Sequence, residues 1–269
     1  MATRISFSAF FVSFLLSVAC AHDQEGVKFT YSSPNGPDKW GSLSQGYHAC
    51  SEGKSQSPID IKTREAVKNN GDAFSNRNYS PSNATLVSHC NAIGVKIVGS
   101  GGGLSIDGKQ FTLKQFHWHT PSEHLIDGVQ YDAELHIVHQ SDDGQCYAVV
   151  GIIFKYGPPD PLISKLQQGL EELANGNCRP VLEGPHVTLD NLYDTVLEKT
   201  SQSYYRYLGS LTTPPCSENV VWTVLGEVST ISKEQVELLK STLEVESKSN
   251  SRPAQALNGR QVSVYSKAN

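Results

Sequence analysis

From about residue 84 onward, short apolar runs separated by turn formers set the rhythm of the chain. They are Ala84–Val87, Val95–Val98, Leu104–Ile106, Phe111–His119, Ala133–His139 and Tyr147–Phe154. Runs of this length bounded by Gly, Asn, Asp and Ser predict strands. Asp107-Gly108, between two of them, predicts a two-residue hairpin. Helical spacing comes later. Asp160 is placed to cap a helix with Pro161 at its first position, Leu162, Ile163, Leu166, Leu170 and Leu173 on one face, and Gly176 past its end. Ser232-Lys233-Glu234-Gln235 is a capping box opening a second helix through Val236 and Leu239. Residues 32–55, rich in Gly, Ser and Pro, read as an irregular arm. No repeat or linker divides the chain, so the pattern predicts one sheet-based, mainly β domain of the α+β kind, mostly antiparallel.

Composition changes this picture only at its edges. The chain has 269 residues, 38% of them hydrophobic, with 22 Lys+Arg against 27 Asp+Glu and a formal charge of −5. That balance offers no basic face for a nucleic-acid partner and excludes collagen-like, coiled-coil and disordered classes. The N-terminus reads as a signal peptide over residues 1–21. Arg4 is followed by the apolar stretch Ile5–Val18 and by Ala19-Cys20-Ala21, small residues before a cut at His22. The stretch is shorter than the roughly 20 residues a spanning helix needs, so the mature chain 22–269 is expected to carry no transmembrane segment. The expected location is the secretory pathway, ending outside the cell or in the apoplast, or in a plastid reached by that route.

Export makes disulfides the default for the remaining cysteines, Cys50, Cys90, Cys146, Cys178 and Cys216. Their number is odd, so at least one stays free or pairs with another chain. No CxxC is present. Asn78-Tyr79-Ser80 and Asn83-Ala84-Thr85 are glycosylation sequons in a polar, turn-rich stretch, which makes Asn78 and Asn83 candidate glycan sites.

The chemistry concentrates in histidine. Nine are present, and five fall between 117 and 139. In a strand, residues i and i+2 share a face, so His117 and His119 point one way with Gln115, and Phe116 and Trp118 the other. In the next run Glu134, His136 and Val138 share a face, opposite Leu135 and Ile137. If the two strands pair, three imidazoles converge. Three neutral imidazoles suit Zn²⁺ and leave a fourth tetrahedral position for water, the pattern of a catalytic site. Gln115 and Glu134 stand two residues before a ligand on its own face, as acceptors that fix the imidazole tautomer. His139 lies on the face opposite His136, and His124 lies in the link, so neither is expected to bind metal. His117-x-His119-x₃-Glu123 also fits half of a cupin iron motif. Phe111 stands where that motif wants Gly, and Pro180, His186 and Asn191 miss the spacing of its second half. Downstream, Thr212-Thr213-Pro214-Pro215 is a rigid hydroxyl-bearing segment suited to facing a metal site.

Taken together these motifs resemble the alpha-class carbonic anhydrases. They are Asn35-Gly36-Pro37 with Trp40, Gln56-Ser57-Pro58-Ile59-Asp60-Ile61, Gln115-Phe116-His117-Trp118-His119 with Ser122-Glu123-His124, Ala133-Glu134-Leu135-His136-Ile137-Val138-His139, Gly209-Ser210-Leu211-Thr212-Thr213-Pro214-Pro215, and Asn250 with Arg252-Pro253. The match runs in order from about Phe29 to Val264, and its wording is most similar to secreted plant members. It implies a central mixed, largely antiparallel sheet of about ten strands with short peripheral helices. It implies zinc on His117, His119 and His136, and reversible hydration of carbon dioxide by attack of zinc-bound hydroxide. Thr212 would accept the hydroxide proton and donate to Glu123, and Thr212 with Thr213 would seat bicarbonate. Val138, Val149, Leu211 and Trp222 would wall the carbon dioxide pocket, and sulfonamide-type inhibitors would bind. A Cys50–Cys216 disulfide follows by the same resemblance, which assigns no pairing among Cys90, Cys146 and Cys178. The family's proton-shuttle histidine is replaced by Asn91, which does not titrate near neutral pH; His89 could substitute only if the backbone there differs. This implies a rate limited by proton transfer. A non-catalytic storage or binding protein on the same scaffold, like the yam dioscorins, is the alternative.

Overall fold

The computed structural model describes residues 27–32, 34–70, 77–175, 182–189 and 203–266. Residues 1–21, read from sequence as a signal peptide, and Gly176 and Cys178 lie outside them. The strands are β1 (Asp60–Ile61), β2 (Val67–Asn69), β3 (Ser82–Ser88), β4 (Ile93–Val98), β5 (Gly103–Ile106), β6 (Lys109–His119), β7 (Leu125–Ile126) and β8 (Val129–Gln130). They continue with β9 (Ala133–Ser141), β10 (Tyr147–Tyr156), β11 (Leu182–Leu189), β12 (Ser203–Ser210), β13 (Glu218–Leu225), β14 (Ser229–Ile231) and β15 (Ser263–Ser266). The helices are α1 (Trp40–Leu43), α2 (Ala49–Glu52), α3 (Pro161–Asn175) and α4 (Lys233–Ser241). All six predicted apolar runs are strands, and both predicted helices form.

Twelve strands make one sheet in the order β11-β3-β4-β6-β9-β10-β13-β12-β15-β2, with β5 added to β6 and β14 to β10. Most pairs are antiparallel; β10 runs parallel to β13 and β14, and β15 to β2. Ile106 pairs with Lys109 across Asp107-Gly108, whose φ values of 50° and 80° give the turn its positive-φ form. Asp160 Oδ1 accepts the Ile163 N–H at 3.0 Å and starts α3. Ser232 and Gln235 close the capping box of α4.

Strand alternation sorts the side chains into two apolar layers. One holds Leu113, Phe116, Trp118, Leu135, Ile137 and Ile152, with the apolar faces of α3 and α4. The other holds Val138, Val149, Trp222, Tyr207, Ile59 and Ile61. A register shift in β6 governs which layer receives the histidines. Leu113 pairs with His139 and Gln115 with Val138, so Lys114 is an extra residue. This bulge inverts the alternation: Leu113 and Phe116 face one layer although they are three positions apart, and His117 and His119 face the other.

The irregular arm is more ordered than its composition suggests. It contains α1, α2 and a 3₁₀ turn at Gln45–Tyr47 whose Gly46 N–H donates to Ser44 Oγ at 3.3 Å. Its anchor is Trp40, buried against Cys50 and Cys216, with its indole N–H shared between the carbonyls of Thr30 (2.9 Å) and Asn35 (3.1 Å).

Candidate metal centre

β6 and β9 are antiparallel neighbours in which His117 pairs directly with His136 and His119 with Glu134. The ring centroids lie 5.0 Å (His117–His119), 5.3 Å (His117–His136) and 4.6 Å (His119–His136) apart. One nitrogen from each ring falls within 4.8 Å of the others.

The second nitrogen of each ring is held from outside the trio. His117 Nδ1 is 2.8 Å from Gln115 Oε1, His119 Nδ1 donates to the Asn250 carbonyl at 2.6 Å, and His136 Nε2 donates to Glu134 Oε1 at 2.9 Å. Each ring gives its N–H to a fixed acceptor and turns the bare nitrogen inward. Burial keeps all three neutral. It lowers His117 well below its usual value, with help from the neighbouring histidines; it lowers His119 to about 4; and it lowers His136 against the pull of Glu134. His119 Nε2 is buried without a hydrogen-bond partner. An orphaned imidazole lone pair beside two others, with no thiolate near, fits Zn²⁺.

Glu123 closes the other side. Its Oε1 accepts the Arg252 N–H at 2.8 Å, and its Oε2 lies 3.5 Å from His119 Nε2 and 3.8 Å from His136 Nδ1. Burial pushes this carboxyl up to about 7, against the opposing pull of His136, the Thr212 hydroxyl and the Arg252 N–H. Thr212 is itself buried, in the connection between β12 and β13. Next to it the Thr213 carbonyl accepts the Cys216 N–H at 2.8 Å.

A second approach of potential ligands, His124 with Glu134 and His136, is of a different kind. His124 Nδ1 is 2.7 Å and His136 Nε2 2.9 Å from Glu134 Oε1. Hydrogen bonds consume the lone pairs that a cation would need. Those two imidazoles overcome the burial penalty and hold Glu134 well below the usual carboxylate range.

The apolar wall assembles across three strands. Val138 pairs with Val149, and Val149 with Trp222. The Trp222 and His136 rings are 4.7 Å apart, the Trp222 N–H donates to the Ser210 carbonyl at 2.9 Å, and Leu211 packs against the same cluster.

Asn91 lies in the turn joining β3 to β4, where its carbonyl accepts a proton from Asn250 Nδ2 at 3.1 Å. His89 is exposed in the same turn, and its charge is felt at His117. Cys50 and Cys216 form a disulfide. Cys90 is also disulfide-bonded, to a partner outside the described residues, and Cys146 is free and partly exposed. Asn78 and Asn83 are both exposed, and Asn78 Oδ1 also accepts the Gly103 N–H at 3.1 Å.

Two features escaped the sequence reading. The Asn250 carbonyl that holds His119 comes from 131 residues away. The fully buried His124, set aside as a linker residue, reaches Tyr207 at 2.7 Å. Neither leaves a local periodic signal.

The family model for eukaryotic-type carbonic anhydrase matches residues 35–266. Alpha carbonic anhydrase 7 of Arabidopsis thaliana is 36% identical over 96% of this chain and 93% of its own length. Alpha carbonic anhydrase 8 of the same plant is 39% identical over 90% of this chain, which spans only 61% of that relative. A crystal structure of dioscorin complexed with ascorbate superposes with a TM-score of 0.83 at 35% identity, over 90% of this chain and 99% of that one. The alpha-carbonic anhydrase of Thermovibrio ammonificans, in complex with the inhibitor sulfanilamide, superposes with a TM-score of 0.74 at 38% identity, over 88% and 99%. The trio of imidazoles, the hydroxyl-bearing loop and the sheet that carries them thus stand in a chain that belongs to the eukaryotic-type carbonic anhydrase family.

Proposed function

We propose that this protein is a zinc enzyme that interconverts carbon dioxide and bicarbonate. The observation that carries the reading is the trio of neutral imidazoles with bare nitrogens turned inward, His119 Nε2 being buried and unpartnered. His117 Nε2, His119 Nε2 and His136 Nδ1 would hold the ion. When bound, zinc brings hydroxide within reach near neutral pH, a general property of carbonic anhydrases. The remaining work falls to the chain. Glu123 serves as acceptor for the Thr212 hydroxyl proton, which frees the Thr212 oxygen to accept a hydrogen bond from the nucleophile and orient its lone pair. Val138, Val149, Leu211 and Trp222 keep water from the side where a linear apolar substrate would lie. Thr212 and Thr213 seat the bicarbonate product.

Asn91 supplies no titrating group at the shuttle position, so proton exit limits turnover, and the exposed His89 in the same turn is the relay at hand. The rate is expected to rise with added imidazole buffer and to fall further in His89→Ala. A rate flat against buffer would contradict this assignment.

The dioscorin match supports a second reading, a storage or binding protein on the same scaffold. One experiment separates the two: zinc stoichiometry of the purified protein, together with carbon dioxide hydration with and without sulfanilamide. The enzyme reading expects one zinc per chain and inhibitable hydration. His117→Ala should lose zinc affinity by more than the roughly 100-fold that removal of an outer partner costs. A chain that takes up no zinc at neutral pH would leave the binding-protein reading standing.

A further inference from the structure

Arg206 lies on β12 and shares the helix side of the sheet with Tyr204, whereas Tyr207, next in the strand, faces the layer that carries the metal centre. Its neighbours across the ladder are Thr223 of β13 and Ser263 of β15. Only 9% of Arg206 is exposed. Nε and Nη2 both donate to Thr223 Oγ1, at 3.3 and 3.2 Å. The guanidinium carbon is 5.2 Å from the centre of the Tyr204 ring and 5.4 Å from that of Tyr265, and the two rings stack 4.8 Å apart. Nη1 is buried and meets no acceptor. Among the described residues no carboxylate pairs with this charge.

Arg252, equally buried, is treated differently. Its Nη1 meets the Gln56 amide oxygen and the Ser57 carbonyl, and its Nη2 the Cys50 carbonyl. Arg206 has one hydroxyl oxygen to share among five N–H donors. The ring faces attract the cation, but they give Nη1 nothing to donate to. A guanidinium keeps its charge in proteins, and a buried charge is ordinarily paired or neutralised. The fold therefore leaves one positive charge and one inward N–H to be answered from outside the chain. The surroundings select among anions. Two aromatic rings and one hydroxyl offer few further donors, so an oxyanion would bury oxygens without partners. A halide is a sphere of single charge with no direction to satisfy. Solvent begins two residues along the same face, where Leu208 is 49% exposed.

We propose that Arg206, with Thr223 and the stacked rings of Tyr204 and Tyr265, forms a site for one halide-sized monovalent anion on the side of the sheet away from the metal centre. The proposal does not depend on the zinc reading. Its consequence is structural: β12 leads directly into the Thr212 loop, and an anion at Arg206 ties that strand down.

Urea unfolding in chloride, with ionic strength held constant by gluconate, tests the site. Each tenfold rise in chloride above the dissociation constant should multiply the folding constant about tenfold. The dependence should be the same before and after chelator treatment, because a halide held by a metal would be lost with it. Arg206→Met keeps the bulk and removes the charge, and should unfold at a midpoint indifferent to chloride. Crystals of the parent soaked in bromide should show an anomalous peak against Nη1. A parent indifferent to chloride, or an Arg206→Met that responds as the parent does, overturns the proposal. So does a bromide-soaked crystal with no peak at Nη1. A peak there with no chloride dependence would mean an adventitious ion only, and also overturns it. If Arg206→Met does not fold, the parent's chloride response after chelator treatment and the bromide peak decide the matter together.

Discussion

His136 and His139 lie three residues apart on β9 and meet opposite environments. His136 turns a bare nitrogen toward two other imidazoles. His139 enters the helix-side layer, where Nε2 meets the Tyr79 hydroxyl at 2.8 Å and Nδ1 the Ala148 carbonyl at 3.1 Å. Burial lowers His139 to about 4. Between that value and the usual 6.5 the unfolded chain binds more protons, so this residue's contribution to stability is complete above about pH 6.5 and is lost as the pH falls toward 4. By pH 5 the loss is about 2 kcal/mol. His139→Gln should be weaker at pH 7 yet show a flatter pH dependence, measured by urea unfolding of chelator-treated protein; equal slopes would contradict the assignment. At this scale the convergence of the imidazoles was legible because the strand period of two places His117 and His119 together with no knowledge of the fold. The Asn250 carbonyl was not, because a backbone acceptor carries no residue-type signal.

At the scale of elements, apolar runs, the Asp107-Gly108 turn and two helix caps located strands and helices well. Gln235 illustrates what capping rules miss. Its Oε1 accepts from Ser232 N–H in its own helix (3.2 Å) and from Asp160 N–H at the start of α3 (2.7 Å), and its Nε2 donates to the Asp160 carbonyl (2.9 Å). One side chain ties two helix beginnings together. Gln235→Ala should therefore cost about 1–3 kcal/mol, more than a single cap of about 1, in urea unfolding at pH 7. The Lys114 bulge was equally invisible, since nothing in Leu113-Lys114-Gln115 departs from alternation. Deleting Lys114 should carry His117 and His119 to the helix-side layer, or move Leu113 and Phe111 out of it. Either way, equilibrium dialysis should find zinc binding abolished.

Across the whole molecule, the Cys50–Cys216 disulfide spans 166 residues of sequence and joins the N-terminal arm to the end of the Thr212 loop. Arg252 reinforces the same junction, with Nη2 on the Cys50 carbonyl at 2.8 Å and Nη1 on the Ser57 carbonyl at 2.8 Å. Paired replacement Cys50→Ser with Cys216→Ser should cost about 2–5 kcal/mol, read as a lower urea midpoint. An unchanged midpoint would show that the arm holds the loop without the bond. The odd cysteine was anticipated from the count alone. That Cys146 is free among the described residues was not, because pairing is decided by which loops the sheet order brings together.

His117 faces His136 across the β6–β9 ladder with no offset. A slip of one rung turns one partner's imidazole to the wrong side and scatters the nitrogens. On the zinc reading, an ion would therefore be held only by molecules in which these two strands pair in this register. If that reading holds, the fraction of a preparation that captures zinc would count the molecules whose strands paired correctly, without a spectrometer.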